Sequence, residues 1–133
     1  VDTDDWGVLP LLSCIEATGR ALVGRNIPVQ IGDISRRNGG VFPPHAGHQN
    51  GLEGDLRYVR LDREQRPLDL RFDPDLYDPD ATRTLFETLF ELCPIDFILV
   101  DKDRLDFALD DRDARIVDSA GHANHFHIRI RGD

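Results

Sequence analysis

Apolar positions recur at intervals of three and four from residue 8 to residue 23, through Val8, Leu11, Leu12, Ile15, Gly19, Leu22 and Val23. That period predicts an amphipathic helix that packs on a core. Pro10 suits its first turn, Gly24 suits its stop, and Arg20 and Arg25 lie near the negative end of its dipole. From Val29 to Ile34 the period changes to two, with β-branched residues, and predicts a strand. A second strand is predicted from Leu52 to Leu61. Its Leu52, Gly54, Leu56 and Tyr58 share one face, and Glu53, Asp55 and Arg57 share the other.

Residues 62 to 80 are acidic and punctuated by proline, as in a long connection. The run from Asp73 to Asp80 lacks the ligand spacing and central glycine of an EF-hand loop, so calcium is not expected there. Asp80 is expected to cap a helix over about 81–92. Leu85, Phe86, Leu89, Phe90 and Cys93 form its apolar stripe and Pro94 ends it. Ile95 to Val100 predicts a buried strand, residues 102–109 a short helix, and Ile116-Val117 a further apolar segment after an acidic loop. The last segment alternates strictly. Phe126, Ile128 and Ile130 point one way, and His125, His127, Arg129 and Arg131 the other. This is a half-buried strand with one polar face. No repeat, heptad or low-complexity run is visible.

Composition narrows what this chain can do. A length of 133 residues suits one domain, and 40% hydrophobic with 31% charged residues suits a globular protein. The formal net charge of -9 argues against nucleic acid as a partner, because phosphate binding needs a basic surface. No apolar run has the length of a membrane span. The opening residues, Val1 to Asp5, are acidic and carry no signal-peptide pattern. Cys14 and Cys93 do not form a Cys-x-x-Cys pair, which argues against a zinc knuckle or a thioredoxin-like motif. Two buried thiols and a disulfide both remain open, since sequence does not give the distance between them.

The candidate chemistry lies in histidine. All 5 His fall in two segments, His45 with His48 and His122 with His125 and His127. Imidazole beside carboxylate is a common ligand set for zinc. His125 and His127 are two apart on one strand face, so they stand side by side. His48 and Asp55 are separated by Gly51 and Gly54, which lets a loop turn into the strand with both side chains converging. His48, Asp55 and His127 as ligands leave the fourth zinc position open to water, the arrangement of catalytic sites. No His-Glu-x-x-His is present, so zincin motifs do not apply. Arg36 and Arg37, the only adjacent basic pair, are read either as a solvated loop or as the carboxylate-binding edge of a groove.

At these residues the sequence resembles a known superfamily. His48-x6-Asp55 and His125-x-His127 are similar to the paired signatures of the lysostaphin, D-Ala-D-Ala metallopeptidase and sonic hedgehog superfamily. His45-x-x-His48-Gln49-x-Gly51, with His122-x-x-His125-Phe126-His127, resembles the penicillin-insensitive murein endopeptidases within it. The stretch from Pro28 to Ser35, followed by Gly39-Gly40, looks like their lead-in to the first signature. The resemblance covers roughly residues 8 to 131 and is loose in the acidic middle.

The resemblance implies an α+β fold, with a small, mainly antiparallel sheet flanked by helices and a site for one zinc ion on the polar face of the sheet. It implies a single metallopeptidase domain, periplasmic or extracellular, that hydrolyses D-alanyl–diaminopimelyl cross-links in peptidoglycan. Carried onto this chain, the metal ligands are His48, Asp55 and His127. His125 is then the catalytic group beside the metal, as general base or as the group holding the oxyanion. His122 and His45 line the site, assisting proton transfer or binding substrate. One departure stands out. The D-Ala-D-Ala peptidase branch has a Glu three residues before its last ligand, where this chain has Asn124. A stem-peptide carboxypeptidase, and a hedgehog-like metal-binding module without activity, are the two alternatives to the endopeptidase.

Overall fold

The computed structural model describes residues 3–34, 53–107 and 115–131. Within them the chain runs through helix α1 (Thr3–Leu22), strands β1 (Ile31–Ile34) and β2 (Glu53–Leu56), helix α2 (Pro79–Leu92), and strands β3 (Ile95–Val100), β4 (Ile116–Asp118) and β5 (Phe126–Ile130). The fold is α+β, with a five-stranded sheet in the order β1-β2-β5-β3-β4. The sheet is mixed. Its β1–β2, β2–β5 and β3–β5 pairings are antiparallel, as the sequence led us to expect, and β3–β4 is parallel. That parallel pairing is carried by the crossover between Val100 and Ile116, since parallel neighbours cannot be joined by a tight hairpin.

Helix α1 starts earlier than its apolar period indicates. Pro10 lies inside it rather than in its first turn, which removes one amide donor from the ladder at that point. Its end is also set differently. A short 3-10 turn, Val23–Arg25, follows, and Asn26 rather than Gly24 takes the left-handed conformation, with φ of 56° and its N–H on the Val23 carbonyl. Helix α2 is capped by Asp78, not Asp80. The Asp78 side chain accepts from the Ala81 N–H at 2.9 Å, with Pro79 in the first turn, where a missing donor costs nothing. In the described part of the helix expected over 102–109, which ends at residue 107, the chain forms a 3-10 turn, Lys102–Arg104. The ladder of β2 ends at Leu56. Beyond it Arg60 makes an isolated bridge to Tyr77.

The core lies between the helices and one face of the sheet. Leu11 and Ile15 of α1 and Leu85, Phe86 and Leu89 of α2 are buried with Leu56, Ile98, Phe126, Ile128 and Ile130. Phe126 is its aromatic centre, with ring centroids 4.7 Å from Phe86 and 5.5 Å from Tyr58. Cys14, in the middle of α1, and Cys93, at the end of α2, form a disulfide across the helix pair, with Cα atoms 5.3 Å apart. The long connection is held by its own charges. The buried Arg60 guanidinium makes two bonds to Asp62, at 2.9 and 2.7 Å, and Arg63 bridges to Asp78 at 2.7 Å.

With the apolar side of β5 committed to the core, its alternate residues are forced onto the opposite face. Burial along β5 alternates between buried and half-buried, and along β2 it runs in the same way. Antiparallel register then sets Asp55 directly opposite His127, and Glu53 opposite Arg129. Residues far apart in sequence meet on this polar face because the hydrophobic face has fixed the register.

Candidate functional site

Four charged or titratable side chains, Glu53, Asp55, His125 and His127, cluster on the polar face, with His122 beside them. The His127 Nδ1 lies 2.7 Å from Asp55 Oδ1, and its Nε2 lies 2.7 Å from Glu53 Oε1. Both nitrogens therefore face carboxylates, which only accept, and both carry a proton in this arrangement. The hydrogen bonds to Asp55 and then Glu53 raise the His127 pKa to about 9, against the opposing effect of burial. The imidazolium in turn lowers both carboxyls. For Glu53 the hydrogen bond with His127 dominates. For Asp55 burial pushes upward, but the His127 bond and the neighbouring histidines outweigh it.

His125 has a different environment. Its Nε2 is 3.9 Å from Asp55 Oδ1, beyond hydrogen-bond reach, and burial lowers its pKa more than the nearby Asp55 charge raises it. Its Nδ1 lies 2.6 Å from Asn124 Oδ1. An amide oxygen accepts, so Nδ1 bears the hydrogen and Nε2 offers a lone pair. His122 is fixed in the same sense. Its Nδ1 lies 3.1 and 3.0 Å from the carbonyls of Ser119 and Ala120, and its ring centroid is 4.9 Å from that of His125. The turn carrying His122 is tied to the core by Tyr58, whose hydroxyl donates to the His122 carbonyl at 2.7 Å. The Phe97 ring lies nearly parallel to that of His127, with centroids 6.5 Å apart.

The arrangement thus holds one protonated imidazole between two carboxylates, beside two imidazoles whose Nδ1 atoms face amide oxygens. As donors, a carboxylate oxygen and imidazole nitrogens are of the kind that zinc accepts. Among the described residues, no group of three or more His, Cys, Asp and Glu side chains is placed to hold a metal ion. Of the expected ligands, Asp55 and His127 are brought together here, and His48 lies outside the described residues, as do His45, Arg36 and Arg37. His122 and His125 lie beside the Asp55–His127 pair.

Glu53 and Asn124 join the cluster without having been expected from the sequence. Glu53 carried one visible signal, its position two residues before Asp55 on the same strand face. In the sequence Asn124 marks only the place where a carboxylate is missing, and its contact with His125 gives it a task of its own.

A cavity of about 360 Å³ lies behind this turn, lined by Arg71, Asp101, Arg104, Asp118 and Asn124 among others. Asn124 is its shared wall with the histidine cluster. No helix among the described residues is long and apolar enough to cross a membrane. No protein-family model matches the chain, and no curated protein sequence matches it.

Proposed function

We propose that this chain is a zinc-dependent peptidoglycan endopeptidase that hydrolyses D-alanyl–diaminopimelyl cross-links. The observation that carries the reading is the meeting of Asp55 and His127, 72 positions apart in sequence, as cross-strand partners with His125 on the same face. In this reading His48, Asp55 and His127 hold one zinc ion. When bound, zinc supplies a water acidic enough to ionise near neutral pH and polarises the peptide carbonyl.

The chain's own groups handle the protons. His125 stays neutral at pH 7 because burial lowers its pKa, and Asn124 keeps its Nε2 as the accepting atom. It takes a proton from the attacking water and returns it to the leaving amine. His122, its ring against that of His125, stabilises the charge that His125 gains, or relays the proton. His45, Arg36 and Arg37 are the substrate-facing residues of this reading, with the arginines suited to a stem-peptide carboxylate.

The disulfide supports a periplasmic or extracellular setting, since such bonds persist in oxidising compartments. Asn124, standing where the D-Ala-D-Ala peptidases carry Glu, favours the endopeptidase over the carboxypeptidase.

The test is digestion of purified cross-linked peptidoglycan by the zinc-loaded protein, with the muropeptides separated and weighed. The expected products are monomers formed from dimers. Release of free D-Ala instead would move the reading to a carboxypeptidase. Dimers left intact by folded, zinc-bound protein would favour an inactive metal-binding module.

A further inference from the structure

An imidazole binds a metal through one nitrogen. The other N–H needs an acceptor to hold the ring and its tautomer in place. In this chain the two sides of the His127 ring are distinct. Asp55, its co-ligand in the zinc reading, stands at Nδ1, and Glu53 stands at Nε2 with its Oε1 at 2.7 Å. We infer that Glu53 is the positioning residue for the metal site, its carboxylate holding the His127 nitrogen opposite Asp55. This assignment rests on the zinc reading above.

With Asp55 as the ligand, this role is distinct from that of a ligand. Glu53 and Asp55 approach opposite nitrogens of one ring, so a metal held by Asp55 and His127 leaves Glu53 as an outer partner. Strand geometry explains the arrangement. Positions two apart on β2 share a face, and the β2–β5 register sets Glu53 across from Arg129 and Asp55 across from His127. Glu53 is itself held. Arg129 Nη1 lies 3.4 Å from its second oxygen, and Arg129 Nε lies 3.5 Å from Asp96 Oδ2 on β3. A line of alternating charge, Asp96, Arg129, Glu53, His127 and Asp55, thus crosses three strands and ends at the proposed metal. The Glu53 side chain is 22% exposed and that of His127 is 20%. At that burial the contact orients a ring, whereas a freely solvated pair would contribute little.

The experiment measures zinc affinity by competition with a chromophoric chelator at neutral pH, for the wild type, Glu53→Ala and Glu53→Gln, alongside thermal melts of each metal-free protein. Glu53→Ala is expected to weaken zinc binding by about 10- to 100-fold. Glu53→Gln, whose amide oxygen still accepts the Nε2 hydrogen, is expected to lose less. A role in stability alone would lower the melting temperature and leave zinc affinity unchanged, and that result overturns the inference. If Glu53→Ala does not fold, Glu53→Gln carries the test, and wild-type affinity in it overturns the assignment. A wild type that binds no zinc overturns the zinc reading itself, which is a separate failure from unchanged affinity in the variants.

Discussion

Replacing both Cys14 and Cys93 with alanine removes the one covalent link between α1 and α2. The bond closes a loop with a sequence separation of 79 residues. Chain-entropy loss in the unfolded state scales with the logarithm of that length, and for 79 residues it amounts to about 4.5 kcal/mol at 25 °C. Measured bonds often deliver about 2–4 kcal/mol, because the unfolded chain keeps some structure. For 133 residues, an unfolding entropy of about 2.1 cal/mol/K per residue converts each kcal/mol to roughly 3.6 °C. The double variant is therefore expected to melt about 7–16 °C below the wild type. Alanine is the better substitute here, since both positions are buried and a serine hydroxyl would need a partner. Melts by circular dichroism, with and without a thiol reductant, provide the assay. Reductant should lower the wild type towards the variant and leave the variant unchanged. A variant within about 2 °C of the wild type, or two titratable thiols in the oxidised native protein, would contradict a stabilising Cys14–Cys93 bond.

Three further outcomes follow from the same geometry. Phe126→Ala empties the aromatic centre against Phe86 and Tyr58, and guanidinium unfolding should show a loss of about 3–5 kcal/mol; a loss below about 1 kcal/mol would mean the site collapses or is not core. Burial raises both tyrosines, Tyr58 and Tyr77, above the ordinary value near 10, so their contribution to stability is complete below about pH 10 and is lost as pH rises beyond it. Ultraviolet titration should show no tyrosinate step near pH 10 until the protein unfolds, whereas denatured protein should titrate there. His125→Ala should retain zinc and lower the rate of cross-link hydrolysis by about 10²–10⁴-fold, the range for a general acid–base group; full activity would remove His125 from the mechanism.

What the sequence made legible was whatever a local period encodes. The alternation from His125 to Arg131 placed Phe126, Ile128 and Ile130 in the core, where they are fully buried. The stripe of Leu85, Phe86 and Leu89 likewise located α2. Boundaries failed where two residues offered the same signal. Asp78 and Asp80 flank Pro79, and either could cap, but Pro79 fits the first turn only if Asp78 is the cap. Pro10 carries the signal of a helix start, because prolines favour first turns, yet α1 runs through it. Pairings between distant strands carry no local signal at all. The parallel β3–β4 pair, the Cys14–Cys93 bond and the place of Glu53 against His127 are set only when the core faces close. The histidine clusters were visible in the sequence. The hydrogen-bond partners of the ring nitrogens in His122, His125 and His127 were not.

The proposed mechanism depends on the two histidine segments holding one zinc ion with a position left open for water. Crystals of zinc-soaked protein, with anomalous data collected at the zinc absorption edge, test it most directly. The expected result is a single ion bound by His48, Asp55 and His127, with Glu53 on the far nitrogen of His127 and no fourth protein ligand. An absent ion, or one closed off by a fourth side chain, would contradict it.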